Sequence, residues 1–107
     1  IKAILHYMMQ HLHQPMNVPV LSTMAGLSQS RFFEVFKNVT GQTPLNFFMC
    51  ARMHCAGELL VGTRLQIKEV AAQLGYDDQF YFSRVFKSVH GIPPLKYRKN
   101  RIGEHQR

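Results

Sequence analysis

The sequence has few cysteines and no long apolar segment. Cys50 and Cys55 are the two cysteines in 107 residues, and both lie in one predicted helix, so they cannot build a disulfide framework. No apolar run approaches the roughly 20 residues that cross a bilayer. Polar residues also interrupt the amino-terminal pattern where a signal peptide would carry its apolar core. These absences predict reduced cysteines and a cytoplasmic protein without a membrane partner.

The sequence also lacks the patterns of an enzyme or a metal site. It has no glycine-rich phosphate loop and no nucleophile with a positioned base, and its adjacent carboxylates, Asp77 and Asp78, lie at a predicted helix cap. His6 and His11 are five residues apart, as are the two cysteines, and this spacing places the members of each pair on different helix faces. We therefore expect no catalytic residues, no metal ion and no cofactor.

Acidic residues are scarce. Six Asp and Glu residues stand against thirteen Lys and Arg residues, which gives a formal net charge of +7 and a sequence pI near 9.9. Such a balance favours an anionic partner, of which nucleic acid is a common case. At 107 residues and 46% hydrophobic content, the chain has enough apolar side chains for the core of one domain.

One segment occurs twice: residues 29–45 are repeated as residues 79–95. Of the seventeen aligned positions, nine are identical, and they are Gln29/Gln79, Phe32/Phe82, Val35/Val85, Phe36/Phe86, Lys37/Lys87, Val39/Val89, Gly41/Gly91, Pro44/Pro94 and Leu45/Leu95. Each copy combines an apolar stripe at helical spacing with a lysine. This pattern predicts a duplicated binding element on a basic protein.

Apolar periodicity and capping residues predict an all-α domain of seven helices. Asn17, Ser28 and either Asp77 or Asp78 are expected to cap helices, and glycines are expected to end them. Two short helices joined by a tight turn form a helix-turn-helix unit, and we place these units at about 18–40 and 67–90. A long bridging helix is expected from about 43 to 60. The last helix is predicted as a turn or two through Tyr97.

The second half of the chain carries a recognisable set of residues. They are Arg52, Ala56 and Leu59-Leu60, then Ile67-Lys68-Glu69-Val70-Ala71, Gly75-Tyr76, Tyr81-Phe82-Ser83-Arg84, Phe86-Lys87, Gly91, Pro94 and Tyr97-Arg98. In these residues the chain resembles the AraC-type (AraC/XylS) transcription regulators. The resemblance implies a homeodomain-like, seven-helix DNA-binding domain, with two helix-turn-helix units bridged by a long helix, at the carboxyl end of a bacterial regulator. We expect such a regulator to act at a promoter by contacting or blocking RNA polymerase.

The chain opens at Ile1 directly on an amphipathic pattern, with no initiator Met. We expect it to be excised from a longer regulator. The resemblance then implies that a small-molecule effector and a dimer partner bind through a missing amino-terminal region.

The core stripe of each copy leaves a set of candidate DNA-contacting residues. If Phe32, Val35, Phe36 and Val39 are buried, the exposed residues of the first copy are Gln29, Ser30, Arg31, Phe33, Glu34 and Lys37. The same subtraction in the second copy leaves Gln79, Phe80, Ser83, Arg84 and Lys87.

Arg84 is the leading candidate for a base contact. A guanidinium can donate two hydrogen bonds to guanine O6 and N7, which is worth about 1–3 kcal/mol of discrimination. The alternative is a surface ion pair with Asp78. Gln29 and Gln79 could each contact adenine, contact phosphate, or simply be solvated.

The first copy is less basic than the second. Phe33 either packs on a thymine methyl or tucks against the bridging helix, and Glu34 either accepts from cytosine N4 or is merely tolerated. If Phe33 tucks against the bridging helix and Glu34 is merely tolerated, the second copy would dominate specificity.

Several residues are candidates for phosphate contacts. Lys37 and Lys87 are the last residues of their exposed stripes. Thr43 lies at the amino end of the bridging helix, and this end, like the amino end of the last helix, has a dipole that favours a phosphate. Lys96 and Arg98 belong to a basic tail that either follows the DNA backbone or is a frayed, solubilising end.

The predicted bridge suits a bipartite site. Eighteen residues of helix span roughly 27 Å, which, with the flanking units, is comparable to the ~34 Å between successive major grooves on one DNA face. We therefore predict sequence-specific binding of double-stranded DNA with two recognition helices in adjacent major grooves, regulating transcription initiation as an activator or a repressor. Two alternatives are a non-specific or architectural nucleic-acid binder and a basic protein-interaction module.

Overall fold

The computed structural model describes residues 1–105, and every regular element within that range is a helix. The helices are α1 (Lys2–Gln10), α2 (Val18–Ala25), α3 (Gln29–Thr40), α4 (Pro44–Gly62), α5 (Ile67–Gln73), α6 (Gln79–His90) and α7 (Pro94–His105). The prediction of an all-α chain with seven helices is confirmed for the described residues.

The helices divide between two compact units, and α4 runs through the boundary. The first unit is Ile1–Ala51, and the second begins at Arg52. In the first unit α1, α2 and α3 pack around a core that includes Ile4, Met8, Leu21, Phe32, Phe36 and Phe48. In the second unit α5, α6 and α7 pack with the carboxyl half of α4 around Met53, Ala56, Leu60, Val70, Leu74, Phe82 and Phe86. Each unit thus buries its own apolar stripe.

The helix starts follow the predicted caps. The side chain of Asn17 accepts a hydrogen bond from Val20 N–H, and Ser28 Oγ accepts one from Arg31 N–H at 3.2 Å. Of the two aspartates considered for α6, Asp78 is the cap, since its Oδ1 accepts from the N–H groups of the second and third helical residues at 2.8 and 3.3 Å. The local sequence alone therefore specifies where these three helices begin.

Two helix ends differ from the prediction. The bridging helix continues past Leu60 to Gly62, because Thr63 N–H and Thr63 Oγ1 both donate to Leu59 O at 3.0 and 2.6 Å and close its last turn. The last helix extends to His105 rather than ending near Tyr97. The guanidinium of Arg101 lies 5.2 Å from the centre of the Tyr97 ring, one turn back, and this contact supports the extension.

The prediction that Val39 is buried was wrong, and Val35, also predicted as buried, is half-buried. Val39 is 62% exposed, and Val89, at the same position of the second copy, is 36% exposed. The inward positions in the last turn belong instead to the next residues: Thr40 Oγ1 donates to Phe36 O, and His90 Nε2 lies 2.8 Å from Met53 O. The last inward-facing residue of each helix, Thr40 or His90, therefore lies four residues after the preceding buried phenylalanine instead of three.

Gly57, in the middle of α4, lies against the Tyr97 ring. A Cβ at this position would be 3.0 Å from Tyr97 Oη and 3.3 Å from Cζ. The ring is in turn packed on Phe86 at 5.2 Å and on His90 at 5.0 Å, measured between ring centres. Close packing of α7 on α4 thus explains a glycine that costs about 1 kcal/mol of helix propensity.

Candidate nucleic-acid interface

The second helix of each helix-turn-helix, α3 or α6, presents most of the predicted contact residues to solvent. We call α3 and α6 the recognition helices. In α3 the exposed candidates are Gln29, Ser30, Arg31, Phe33, Glu34 and Lys37, and in α6 they are Phe80, Arg84 and Lys87. Gln79 and Ser83 are half-buried, so these two side chains offer a smaller surface than predicted.

Arg84 is exposed, and its guanidinium lies over an aromatic ring. Its Cζ atom is 5.7 Å from the centre of the Tyr81 ring, three residues earlier on the same helix. Asp78, the partner in the alternative interpretation, uses its carboxylate to cap α6. The geometry therefore favours an Arg84 side chain directed along the exposed face of α6 over one drawn into an ion pair at the helix start.

The first recognition helix carries an ion pair at the matching positions. Arg31 Nη1 lies 2.9 Å from Glu34 Oε1, and both side chains are more than half exposed. Phe33 is 41% exposed, which favours its contact with an outside partner over burial against α4. At the sixth position, α3 consequently offers a carboxylate compensated by Arg31, where α6 offers the guanidinium of Arg84.

The predicted phosphate-contacting residues differ in how they are engaged. Lys37 and Lys87 are exposed in the last turns of their helices, and Lys96 is exposed in the first turn of α7. The Thr43 hydroxyl accepts from Asn46 N–H at 3.2 Å and so caps α4. That bond leaves the hydroxyl hydrogen able to donate to an anion.

Arg98 has a structural role that the sequence did not suggest. Its Nε donates to Leu60 O at 2.7 Å, and Nη2 donates to Thr63 O at 3.4 Å. These carbonyls lie at the carboxyl end of α4, where a cation is favourable because of the helix dipole. Arg98 thus holds α7 to α4, and a phosphate contact by this residue stays a prediction.

Two tyrosines near α6 were missed as site residues. Tyr81 is 52% exposed and lies beneath Arg84, and its ring packs on Tyr76 at 6.0 Å. The guanidinium of Arg52 lies 5.4 Å from the centre of the Tyr76 ring. The spacing of Tyr81 and Arg84 by three residues on a predicted helix was the signal that could have identified the pair.

Other kinds of site find little support in the described part of the chain. No group of three or more His, Cys, Asp or Glu side chains there could hold a metal ion. Burial, and secondarily the charge of Glu58, raise the pKa of the Cys55 thiol, the opposite of what activates a nucleophile. A cleft in the first unit is lined by Tyr7, His11, Val18 and neighbouring residues, but by no Lys or Arg that would attract an anion. No described helix is both long and apolar enough to cross a membrane.

Comparison with known proteins identifies the family. A family model described as a helix-turn-helix domain matches residues 21–100. The chain is 36% identical over 99 residues to the MmsAB operon regulatory protein of Pseudomonas aeruginosa, covering 92% of this chain and 32% of that protein. It is 32% identical over 98 residues to the regulatory protein SoxS of Salmonella typhimurium, covering 92% of each. The chain belongs to the AraC-type family of transcription regulators.

The fold comparison agrees with this assignment. The C-terminal domain of AraT, a response regulator from Geobacillus stearothermophilus, superposes with a TM-score of 0.86 at 31% identity, covering 94% of this chain and 84% of that one. The chain is therefore an AraC-type helix-turn-helix domain of the DNA-binding regulators. It spans about a third of the MmsAB operon regulatory protein.

Proposed function

We propose that this AraC-type domain binds double-stranded DNA with α3 and α6 in adjacent major grooves and regulates transcription initiation from the bound site. The observation that carries the proposal is the exposed face of α6, where Arg84 stands beside Phe80 and Lys87 on a protein of net charge +7. Arginine matches guanine in the major groove, and the lysine provides charge for a phosphate.

The two recognition helices have unequal parts in the proposal. Arg84 supplies the strongest base contact, and Phe80, which is 69% exposed, provides an apolar surface for a thymine methyl. In α3, Phe33 and Glu34 offer an aromatic ring and an acceptor for cytosine N4 instead. Specificity therefore depends mainly on α6, while α3 adds a second block of weaker preference.

Contacts to the DNA backbone fix the position of the domain. Lys37, Lys87 and Lys96 are the exposed cations at the ends of helices, and Thr43 lies at the amino end of α4, where the dipole favours an anion. These contacts carry no sequence information but provide most of the salt-dependent affinity.

The regulatory step requires a second partner. Activation or repression of initiation needs RNA polymerase to be contacted or blocked, so we propose RNA polymerase as that partner and the cytoplasm as the place of action. The proposal assigns no catalysed reaction to the domain.

Selection of bound sites from random duplex DNA, at near-physiological salt, tests the proposal. The wild-type domain and Arg84→Ala are compared, with Arg64→Ala as a control that removes an exposed arginine outside the recognition helices. We expect the wild type to select two blocks about 10 base pairs apart. Arg84→Ala should degrade one block, and Arg64→Ala should leave both.

Enrichment without any motif, unaltered by Arg84→Ala, would instead show that the positive charge binds phosphate non-specifically. Absence of enrichment at near-physiological salt, and again when the selection is repeated at low salt, would leave only the protein-interaction alternative. Either result would overturn the proposal.

A further inference from the structure

The two recognition helices share a side-chain contact between the same two positions, although the residue types at those positions differ. In each helix the third residue contacts the sixth: Arg31 pairs with Glu34 at 2.9 Å in α3, and Tyr81 lies under Arg84 at 5.7 Å in α6. Both pairs are on exposed surface, and the residues that form them are unlike. The positions are therefore repeated while the chemistry of the contact is not.

We propose that the third residue of each recognition helix is a specificity-determining positioning residue, which holds the base-contacting side chain at the sixth position before DNA arrives. Tyr81 orients the Arg84 guanidinium, and Arg31 orients the Glu34 carboxylate. This inference rests on the proposed function, because it concerns side chains that contact bases.

The physical reason is the cost of ordering a long side chain. Immobilising an arginine or glutamate side chain on binding lowers its conformational entropy, and a side chain already held in its bound arrangement avoids part of that loss. The gain applies only where the bound arrangement matches the base, so it appears as sequence preference. A contact with phosphate, which tolerates many side-chain positions, would gain less.

Tyr81 is itself supported from behind, as a positioning residue must be. Its ring packs on Tyr76 at 6.0 Å, and Tyr76 packs on the fully buried Phe82 at 5.5 Å. Arg52 of α4 lies over the Tyr76 ring. A continuous row of packed rings and guanidinium groups thus runs from α4 to Arg84 within the second unit. In the first unit the residue that follows the positive-φ glycine of the turn, Gly26, is Leu27, whereas Tyr76 follows Gly75 in the second, so the tyrosine pair has no counterpart in the first unit.

The pair in α3 has an additional electrostatic role. Glu34 would bring an uncompensated negative charge to the phosphate backbone, and Arg31 compensates that charge while leaving carboxylate oxygens able to accept from a base. The proposal therefore explains how an acidic residue is tolerated in the middle of a recognition helix.

A double-mutant cycle tests the pair in α6. Binding of the wild type, Tyr81→Leu, Arg84→Ala and the double variant is measured on the selected site and on a site with the Arg84 block scrambled. Tyr81→Leu should lower the preference for the selected site about two- to fivefold, the range expected of an exposed cation–π contact. It should have no further effect in the Arg84→Ala background. Tyr81→Phe, which keeps the ring, should retain the wild-type preference.

The outcomes separate this inference from the proposed function. If Arg84→Ala leaves the preference unaltered, the proposed function fails. If Arg84→Ala relaxes it but Tyr81→Leu does not, or if the two losses add in the double variant, only the positioning role is overturned. Thermal melting of each variant verifies that the measured protein is folded.

A second cycle tests the pair in α3. Arg31→Met should weaken binding to the selected site by up to about fivefold. Glu34→Gln in the same chain should recover part of the overall affinity by removing the unpaired charge, without recovering the wild-type base preference of the α3 block. An equal loss in Arg31→Met and in Arg31→Met/Glu34→Gln would show that Arg31 contacts DNA directly and would contradict the inference for α3.

Discussion

The two recognition helices have the same core and different surfaces. Phe32 and Phe36 of α3 and Phe82 and Phe86 of α6 are all fully buried, and Gly41 and Gly91 both end their helices with positive φ angles of 79° and 85°. On the exposed side, Glu34 stands where α6 has Arg84, and Arg31 stands where α6 has Tyr81. The two copies therefore share the residues that pack each recognition helix on its core and differ in the exposed residues that could contact DNA.

The last residues of the two recognition helices also differ in what their side chains contact. In the last turn of α3, Thr40 Oγ1 bonds locally to Phe36 O and Gln42 O. In the last turn of α6, His90 stacks on Phe86 with ring centres 4.2 Å apart and reaches the backbone of α4 at Met53 O. Because a carbonyl only accepts, His90 must donate through Nε2. The second unit thus ties its recognition helix to α4 by a part-buried polar contact, which suits the helix that we assign the stronger role in specificity.

The largest expected effect comes from substituting the equivalent buried phenylalanines of the two cores. Phe36→Ala and Phe86→Ala should each lower the free energy of unfolding by about 3–5 kcal/mol, because each removes a fully buried ring and leaves a cavity. Urea denaturation measures both. Losses of similar size would support the equivalence of the two cores, and a loss below 1 kcal/mol in either would contradict it.

A smaller effect concerns the packing of Gly57 on the Tyr97 ring in the second unit. Gly57→Ala should lower the free energy of unfolding by about 1–2 kcal/mol, since overpacking against the Tyr97 ring outweighs the gain in helix propensity. The matched control is Gly62→Ala in the same helix, where a Cβ meets nothing within 4 Å. Tyr97→Phe removes the nearest atom and should recover part of the loss in Gly57→Ala. A stabilised Gly57→Ala would show that the ring can move aside.

The helix caps should contribute equally to the two recognition helices. Ser28→Ala and Asp78→Ala remove the acceptors for the first N–H groups of α3 and α6, and each should cost about 1 kcal/mol of stability. Thermal melting measures the loss. Ser28→Asp should restore α3, and a Ser28→Ala variant as stable as the wild type would contradict the assignment of its cap.

The smallest expected effect on stability belongs to the surface pair of α3. Glu34→Gln should alter the free energy of unfolding by less than about 0.5 kcal/mol, because an exposed pair three residues apart contributes little. The same variant is expected to change the base preference of the α3 block. A stability loss above 1 kcal/mol would mean that Glu34 is a structural residue rather than a contact residue.

Local signals in the sequence predicted the helices, their caps and the exposed faces. Asn17, Ser28 and Asp78 act through neighbours three residues away or less, so their roles could be inferred without the fold. Burial at the helix ends could not, because whether Val39 or Thr40 faces inward depends on what packs there. The role of Arg98 likewise depends on α4, 38 residues earlier in the chain at Leu60.

The partner of Arg84 shows the same limit within one helix. Sequence alone offered Asp78, six residues earlier, as a source of opposite charge. The helix instead brings Tyr81, three residues earlier, beneath the guanidinium, and the Asp78 carboxylate is engaged by backbone N–H groups. Charge complementarity was a weaker guide here than helix geometry.

The central claim is that α6 carries the stronger sequence preference through Arg84. It is tested most directly by measuring binding of the wild type and Arg84→Ala to the selected site and to versions with one block scrambled. We predict that Arg84→Ala loses about 1–3 kcal/mol of binding free energy on the intact site and on the site with the α3 block scrambled. It should lose nothing on the site with its own block scrambled. An equal loss on all three sites would contradict the claim, since it would show that Arg84 contacts only the DNA backbone.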